Sequence, residues 1–115
     1  MRLTLPWPPK QLSPNGRLHW TRKYKAKNAY QADVYSAAKA GGARILDAET
    51  LAVTITFCPP DRRRRDKDNA IACFKSGQDA LALLLGVDDA NWRVTYAPGW
   101  GEPVKGGAVV VEVAE

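Results

Sequence analysis

Leu51–Phe57, LAVTITF, runs through Pro59-Pro60 into Asp61–Asn69, DRRRRDKDN, and on to Leu85 without another proline. The first piece alternates apolar with small or polar residues and is rich in β-branched side chains, the pattern of a half-buried strand. Pro59-Pro60 ends it. From Asp68 or Asn69 to Leu85 the apolar positions Ile71, Phe74, Leu81 and Leu85 fall on one helical stripe. Asp68 is placed to cap the first turn, and Gly86 to take the left-handed position after the last. Gly77 costs about 1 kcal/mol relative to alanine in mid-helix and admits a break there. A strand, a charged connection and a helix therefore follow one another within 35 residues.

Outward from this unit the chain stays dense in regular structure. Arg2–Leu5 is a short strand stopped by Pro6, followed by an irregular loop marked by Trp7-Pro8-Pro9 and Ser13-Pro14-Asn15-Gly16. Tyr24 to Ala40 lacks Pro and Gly and sets Ala26, Tyr30, Val34, Ala37 and Ala38 on one face, with Gly41-Gly42 as the stop. After Asp88-Asp89, Arg93–Ala97 and Ala108–Val113 read as strands joined by a Gly- and Pro-rich segment, Pro98–Gly107, and are expected to pair as a hairpin. The order β-α-β-α-β-β implies an α+β fold, one domain with two helices packed on a small mixed sheet. Periodicity does not give the strand order.

At 115 residues the chain has the length of one domain. Seventeen Lys and Arg against twelve Asp and Glu give +5, with a pI near 9.4, which favours a polyanionic partner. No apolar run approaches the roughly 20 residues needed to span a bilayer, and Met1-Arg2-Leu3-Thr4-Leu5-Pro6 reads as a strand rather than a signal peptide. A cytoplasmic protein without a membrane role is expected. Cys58 and Cys73 form no CxxC pair, and the single histidine cannot complete a zinc site with them. Both are expected to be small buried hydrophobes.

Asp61–Asn69 sets four consecutive guanidinium groups beside carboxylates two residues apart. Arginine forks bind phosphate oxygens in a bidentate manner, and aspartates hold hard cations such as Mg²⁺ that also touch phosphate. Asp88-Asp89, past a run of helical length, can return a third ligand to the same edge. Together these point to metal-dependent cleavage of a phosphodiester backbone.

Pro60–Asn69, PDRRRRDKDN, followed by Asp79-Ala80-Leu81 and Asp88-Asp89-Ala90, resembles the RusA family of Holliday-junction resolvases, as does the opening Leu5-Pro6-Trp7-Pro8-Pro9. The resemblance covers nearly the whole chain with its motifs in order. It implies a homodimeric endonuclease that uses Mg²⁺, with Mn²⁺ able to substitute, and needs no organic cofactor. It also implies binding of four-way junction DNA and paired nicks at the crossover. The family's acidic metal ligands fall on Asp66, Asp68 and Asp89, with Asp88 a lesser candidate. The family's catalytic lysine falls where this chain has Ala72, and Lys75 is the nearest replacement. Residues 68 and 75 are seven apart, nearly on one helix face, and a long side chain leans toward the helix N-terminus. Lys75 is therefore expected to stabilise charge on the phosphate.

Side chains in an extended segment alternate in direction, so two of the four arginines are expected to face the acidic site. Arg65 is the expected scissile-phosphate contact, with Arg62, Arg63, Arg64 and Lys67 on flanking phosphates and Asp61 a turn residue. Upstream, Lys10, Arg17, His19, Arg22, Lys23, Lys25 and Lys27 with Trp7 and Trp20 form a second basic and aromatic region. It suits a DNA arm or unpaired bases at the crossover. Core or dimer packing is the equal alternative for Trp7 and Trp20, while Trp92 and Trp100 are expected to pack. A junction-binding protein without turnover and a broader structure-selective nuclease are the rival functions.

Overall fold

The computed structural model describes residues 1–14, 19–46, 50–88 and 90–114. Four strands and two long helices succeed one another: β1 (Arg2–Pro6), α1 (Trp20–Ala40), β2 (Leu51–Cys58), α2 (Lys67–Leu85), β3 (Trp92–Tyr96) and β4 (Ala108–Ala114). A short 3₁₀ turn, Lys10–Leu12, lies between β1 and α1. The expected α+β class and element order are thus present.

The sheet order is β1-β4-β2-β3, with β2 and β3 parallel and β4 antiparallel to both β1 and β2. The expected β3–β4 hairpin does not form. Val109, Val110 and Val111 explain why: this valine run is buried on both faces, as suits a central strand, and β4 inserts between β1 and β2. The helix α2 supplies the crossover that a parallel β2–β3 pair requires.

Register sorts the side chains by face. Leu3 and Leu5 oppose Val111 and Val109, and Val53, Ile55 and Phe57 oppose Val113, Val111 and Val109 from the other side. These join Tyr30, Val34 and Ala38 of α1 and Phe74, Leu81 and Leu85 of α2 in one core. Arg2, Thr4, Ala52, Thr54 and Glu112 point away from it and are exposed. At the far end of that outer face Cys58, Ala108 and Val110 form a small second cluster. Both cysteines are buried and free.

Phe57 is the hub of the core's charged end. Its ring stacks on Tyr96 at 6.0 Å and meets Trp7, Phe74 and Trp100 edge-on at 6.2, 5.9 and 6.4 Å. Edge-to-face and offset pairs at such distances each add about 0.5–1.5 kcal/mol beyond area burial. One residue therefore holds the loop after β1, the helix α2, the end of β3 and the loop after β3. That last loop also runs alongside β2, with Ala97, Gly101 and Val104 amides donating to the carbonyls of Ile55, Phe57 and Pro59.

The helix α1 begins one turn before the expected Tyr24, because the His19 ring accepts the Thr21 amide and caps the helix at Trp20. The cap of α2 is Asp66 rather than Asp68, through the Asp68 amide at 3.0 Å. Gly86, at φ +75°, closes α2, and the Gly86 and Val87 amides satisfy the carbonyls of Leu83 and Ala82.

No break occurs at Gly77. A Cβ there would lie 2.8 Å from Tyr30 Cε2 and 3.0 Å from both Val34 Cγ2 and Phe74 Cε1, all on buried side chains. The glycine lets α1 and α2 approach. Gly77→Ala gains about 1 kcal/mol of helix propensity but overpacks a rigid contact at about 1–3 kcal/mol. We expect a net loss of stability in urea unfolding, and an equal or higher midpoint would show that the helices part freely.

Candidate nucleic-acid and metal site

The segment between β2 and α2 is an arch tied together by its own charges, rather than an extended strand. The Asp61 carboxylate accepts the Arg63 amide at 2.9 Å and Arg63 Nε at 3.2 Å, and pairs with Arg65 Nη1 at 2.8 Å. The Arg65 guanidinium also donates to the carbonyls of Asp61 and Arg63 at 3.0 and 3.2 Å. The hydrogen bond from Arg65, followed by that from the Arg63 amide, holds the Asp61 carboxyl well below the usual carboxylate range. Asp61 is the turn residue that its place after Pro60 suggested.

This arch breaks the strict alternation expected of the arginines. Arg65, with its side chain only 21% exposed, borders a groove shared with Asp66, while Arg62 turns outward to Glu102 at 3.2 Å and Arg63 to Asp61. Arg64 is exposed. Only one guanidinium of the four lines the groove beside Asp66.

Lys67, read in the sequence as a phosphate contact, faces the other way. Its ammonium donates to the carbonyls of Ala97, at 2.7 Å, and Gly99, and lies 5.1 Å from the Trp100 ring and 5.9 Å from Phe57. Burial draws its pKa down. Lys67 thus ties the first residue of α2 to the loop after β3. Asp66 and Asp68 on either side of it remain exposed.

The groove beside Asp66 has a volume of about 600 Å³ and is bordered by Trp7, Lys10, Ser13, Arg65 and Asn69. Ser13 Oγ donates to Asn69 Oδ1 at 2.7 Å, and Lys23 Nζ donates to the Ser13 carbonyl at 3.1 Å, so the loop after β1 is fastened to both helices. Cys73 lies in this groove and in a second one of about 400 Å³, between α1 and the middle of α2. The two grooves thus share Cys73 as a border. Lys75 borders the second groove and pairs with Asp79 at 3.0 Å, one turn beyond it and away from Asp68.

Of the other expected residues, Lys23 and Lys27 border the second groove, while Arg22 and Lys25 are exposed on α1. Arg17 and Asp89 lie outside the described residues. Asp88 Oδ1 accepts the Ala90 amide at 2.8 Å and shapes the turn before β3. Among the described residues no group of three or more His, Cys, Asp or Glu comes together. Trp7 packs on Phe57 and Trp92 against the core, Trp100 is 37% exposed, and Trp20 is 71% exposed. His19 serves as a helix cap.

Sequence reasoning missed Asn69, Tyr24 and Ser76 as groove residues. Asn69, Ala72, Cys73 and Ser76 follow a spacing of three, one and three, which marks a single face of small and polar residues along α2. Ser76 is buried, and its hydroxyl has no hydrogen-bond partner among the described residues. An unpaired buried hydroxyl costs about 1–3 kcal/mol.

Comparisons with known proteins leave the function open. No protein-family profile matches the chain. It is 47% identical over 93 residues to an uncharacterized protein of Xylella fastidiosa (strain Temecula1), a match covering 78% of this chain. The matched stretch is 61% of that protein's length, so the chain spans less than two thirds of this relative. Among the described residues no helix is long and apolar enough to cross a membrane.

Two expected outcomes test the arch and the cap. Asp66→Asn keeps a capping oxygen and is expected to change stability by only a few tenths of a kcal/mol, whereas Asp66→Ala loses about 1 kcal/mol; equal losses in urea would remove the cap from this account. Because the Asp61 pKa is depressed on folding, its stabilisation is present above the ordinary carboxylate pKa and is lost as pH falls below it. Asp61→Asn should therefore lower stability at neutral pH and match the parent at strongly acid pH, as followed by pH-dependent thermal unfolding. A mutant deficit that persists undiminished into acid would contradict the ion-pair origin.

Proposed function

We propose that this chain is a metal-dependent endodeoxyribonuclease of the RusA kind, resolving four-way DNA junctions by paired symmetric nicks as a homodimer. The observation that carries this is the pair of exposed carboxylates, Asp66 and Asp68, at the N-terminus of α2, next to Arg65 and a groove bordered by Lys10, with Lys23 and Lys27 on the second groove. Acceptors for a hard cation stand beside donors for phosphate.

The donor set suits Mg²⁺ or Mn²⁺. Asp66 uses Oδ1 on the Asp68 amide, which leaves its second oxygen and the Asp68 carboxylate facing solvent. Mg²⁺ commonly binds through one or two carboxylates with several waters, and in this proposal Asp89 supplies a third. When bound, such an ion supplies Lewis-acid charge and a more acidic water. No organic cofactor is invoked.

The chain's own groups supply the rest. Arg65 is held rigid by Asp61 and by two carbonyls, so presenting its guanidinium to a phosphate costs little ordering entropy. Arg62, Arg63 and Arg64 are solvent-facing and serve flanking phosphates. Lys75 reaches phosphate from the second groove once DNA competes with Asp79, whereas Lys67 acts by holding the loop after β3. The +5 charge favours attraction of a polyanion in the cytoplasm of a bacterium or of a phage-infected cell. A two-fold dimer would place equivalent sites on the two equivalent strands of a junction.

The test is cleavage of a labelled synthetic four-way junction in Mg²⁺, Mn²⁺, Ca²⁺ or EDTA beside duplex of matched sequence. Symmetric paired nicks in Mg²⁺ or Mn²⁺ are expected. Second-shell changes around a metal cost about 10–100-fold, so loss of a direct ligand in Asp66→Asn should slow cleavage at least about a hundredfold. Tight junction binding without nicks in any metal would instead leave a binding protein, and equal cleavage of duplex a general nuclease.

A further inference from the structure

The second groove differs from the first in chemistry. Trp20 and Tyr24 stand one turn apart at the start of α1, both well exposed, opposite Ala72, Cys73 and Ser76 of α2, with Leu12 at the base. Its lining is mainly apolar. Large aromatic side chains left in solvent beside an apolar recess call for an aromatic or apolar occupant. Its volume of about 400 Å³ lies at the low end of the roughly 300–1,000 Å³ typical of small-molecule sites. Ser76 adds a polar requirement, because this buried residue borders the groove and its hydroxyl, itself closed to solvent, has no hydrogen-bond partner among the described residues. The rim is cationic: Lys23, Lys27 and Lys75 stand against the single carboxylate of Asp79. A flat aromatic group with a hydrogen-bonding edge and an attached anion meets all three conditions.

We propose that this groove seats one unstacked base of the DNA strand held at Asp66, with its ring against Trp20, its edge toward Ser76 and its phosphates on the lysines. This rests on the nucleic-acid reading above for the strand, while the groove's chemistry is independent of cleavage. Base–aromatic stacking tolerates any base, and the serine hydroxyl adds discrimination among them. The spacing also has a consequence. Ten residues of helix separate Asp66 from Ser76, about 15 Å at 1.5 Å per residue. At the ~3.4 Å rise per nucleotide of a duplex strand, that places the seated base about four nucleotides from the phosphate at Asp66.

The experiment uses four-way junctions carrying 2-aminopurine at successive positions around the crossover, bound to the full chain in Ca²⁺ without turnover. A fluorescence change confined to one position, about two to five nucleotides from the nick, is expected. Trp20→Ala, at an exposed helix start, and Ala72→Phe, which fills the groove from an exposed position, should abolish it and weaken binding about tenfold or more. Ser76→Ala should keep the affinity but level the preference among the four bases at that position. No position-specific change, or unchanged binding in Trp20→Ala, would overturn the proposal. So would a Trp20→Ala protein that sediments as a monomer where the parent is a dimer, since the groove would then be filled by a second copy. If junctions are neither bound nor cut, single-stranded oligonucleotides with and without one abasic site decide between the two ideas. A tenfold preference for the intact strand that needs Trp20 would sustain the base site while the resolvase reading fails, and no preference would remove both.

Discussion

The ring of Phe57 is the contact on which the charged end of this fold depends. Four aromatic side chains from four separate segments close on it, and the Lys67 ammonium lies within 6 Å of its centre. Because Phe57 is the penultimate residue of β2, the chain leaves this cluster and within four residues enters the arginine arch. The arch is therefore anchored at both ends: by the stack behind Pro59-Pro60, and by Lys67 reaching back to the loop after β3. An acidic and basic segment that would otherwise be a solvated loop is held to a fixed path. Truncating such a residue removes packing from every neighbour at once, and the about 3–5 kcal/mol typical of buried Phe→Ala would fall on the site as much as on the core.

The capping hydrogen bond at Asp66 works on the product of that anchoring. The chain passes there from extended backbone into α2, and the same carboxylate that satisfies the Asp68 amide is a proposed metal ligand. The two roles are compatible because a carboxylate has two oxygens and several lone pairs. Stability and the proposed chemistry coincide at this residue, so the loss of either is separable only by a substitution that keeps an oxygen in place.

Most of the elements were legible in the sequence, because their signals are local. The alternation of Leu51–Phe57, the stripe of α2 and the glycine after Leu85 each report on a few neighbouring residues. What escaped depends on partners distant in the chain. Ala108–Val113 reads as a strand on any scale, but only its nearly unbroken burial reveals a central place between β1 and β2, and adjacency suggested a hairpin instead. Gly77 reads as a weak point in a helix until Tyr30 and Val34 are brought against it. The arginine alternation failed for a similar reason: Asp61 has two guanidinium groups within reach, and pairing with both bends the segment. At the candidate site the residue types were visible, but the direction of Lys67 was not, since two backbone carbonyls thirty residues away draw it inward.

The charges on the two helices are arranged in opposite senses, and this separates their roles. In α2 Asp68, together with the capping Asp66, stands at the N-terminal end, where the helix dipole favours negative charge, and Asp79 farther along pairs with Lys75. In α1 the first turns carry Arg22, Lys23, Lys25 and Lys27 with no acidic residue in the first turn, an order the dipole disfavours. Among the described residues Arg22, Lys25 and Lys27 form no ion pair that would offset this. Such a cluster adds self-repulsion that solvent and salt screen in part, and that a bound anion would relieve further. In the proposed function, a phosphodiester strand would meet the cations of α1 through its phosphates and reach Asp66 and Asp68 at the N-terminal end of α2.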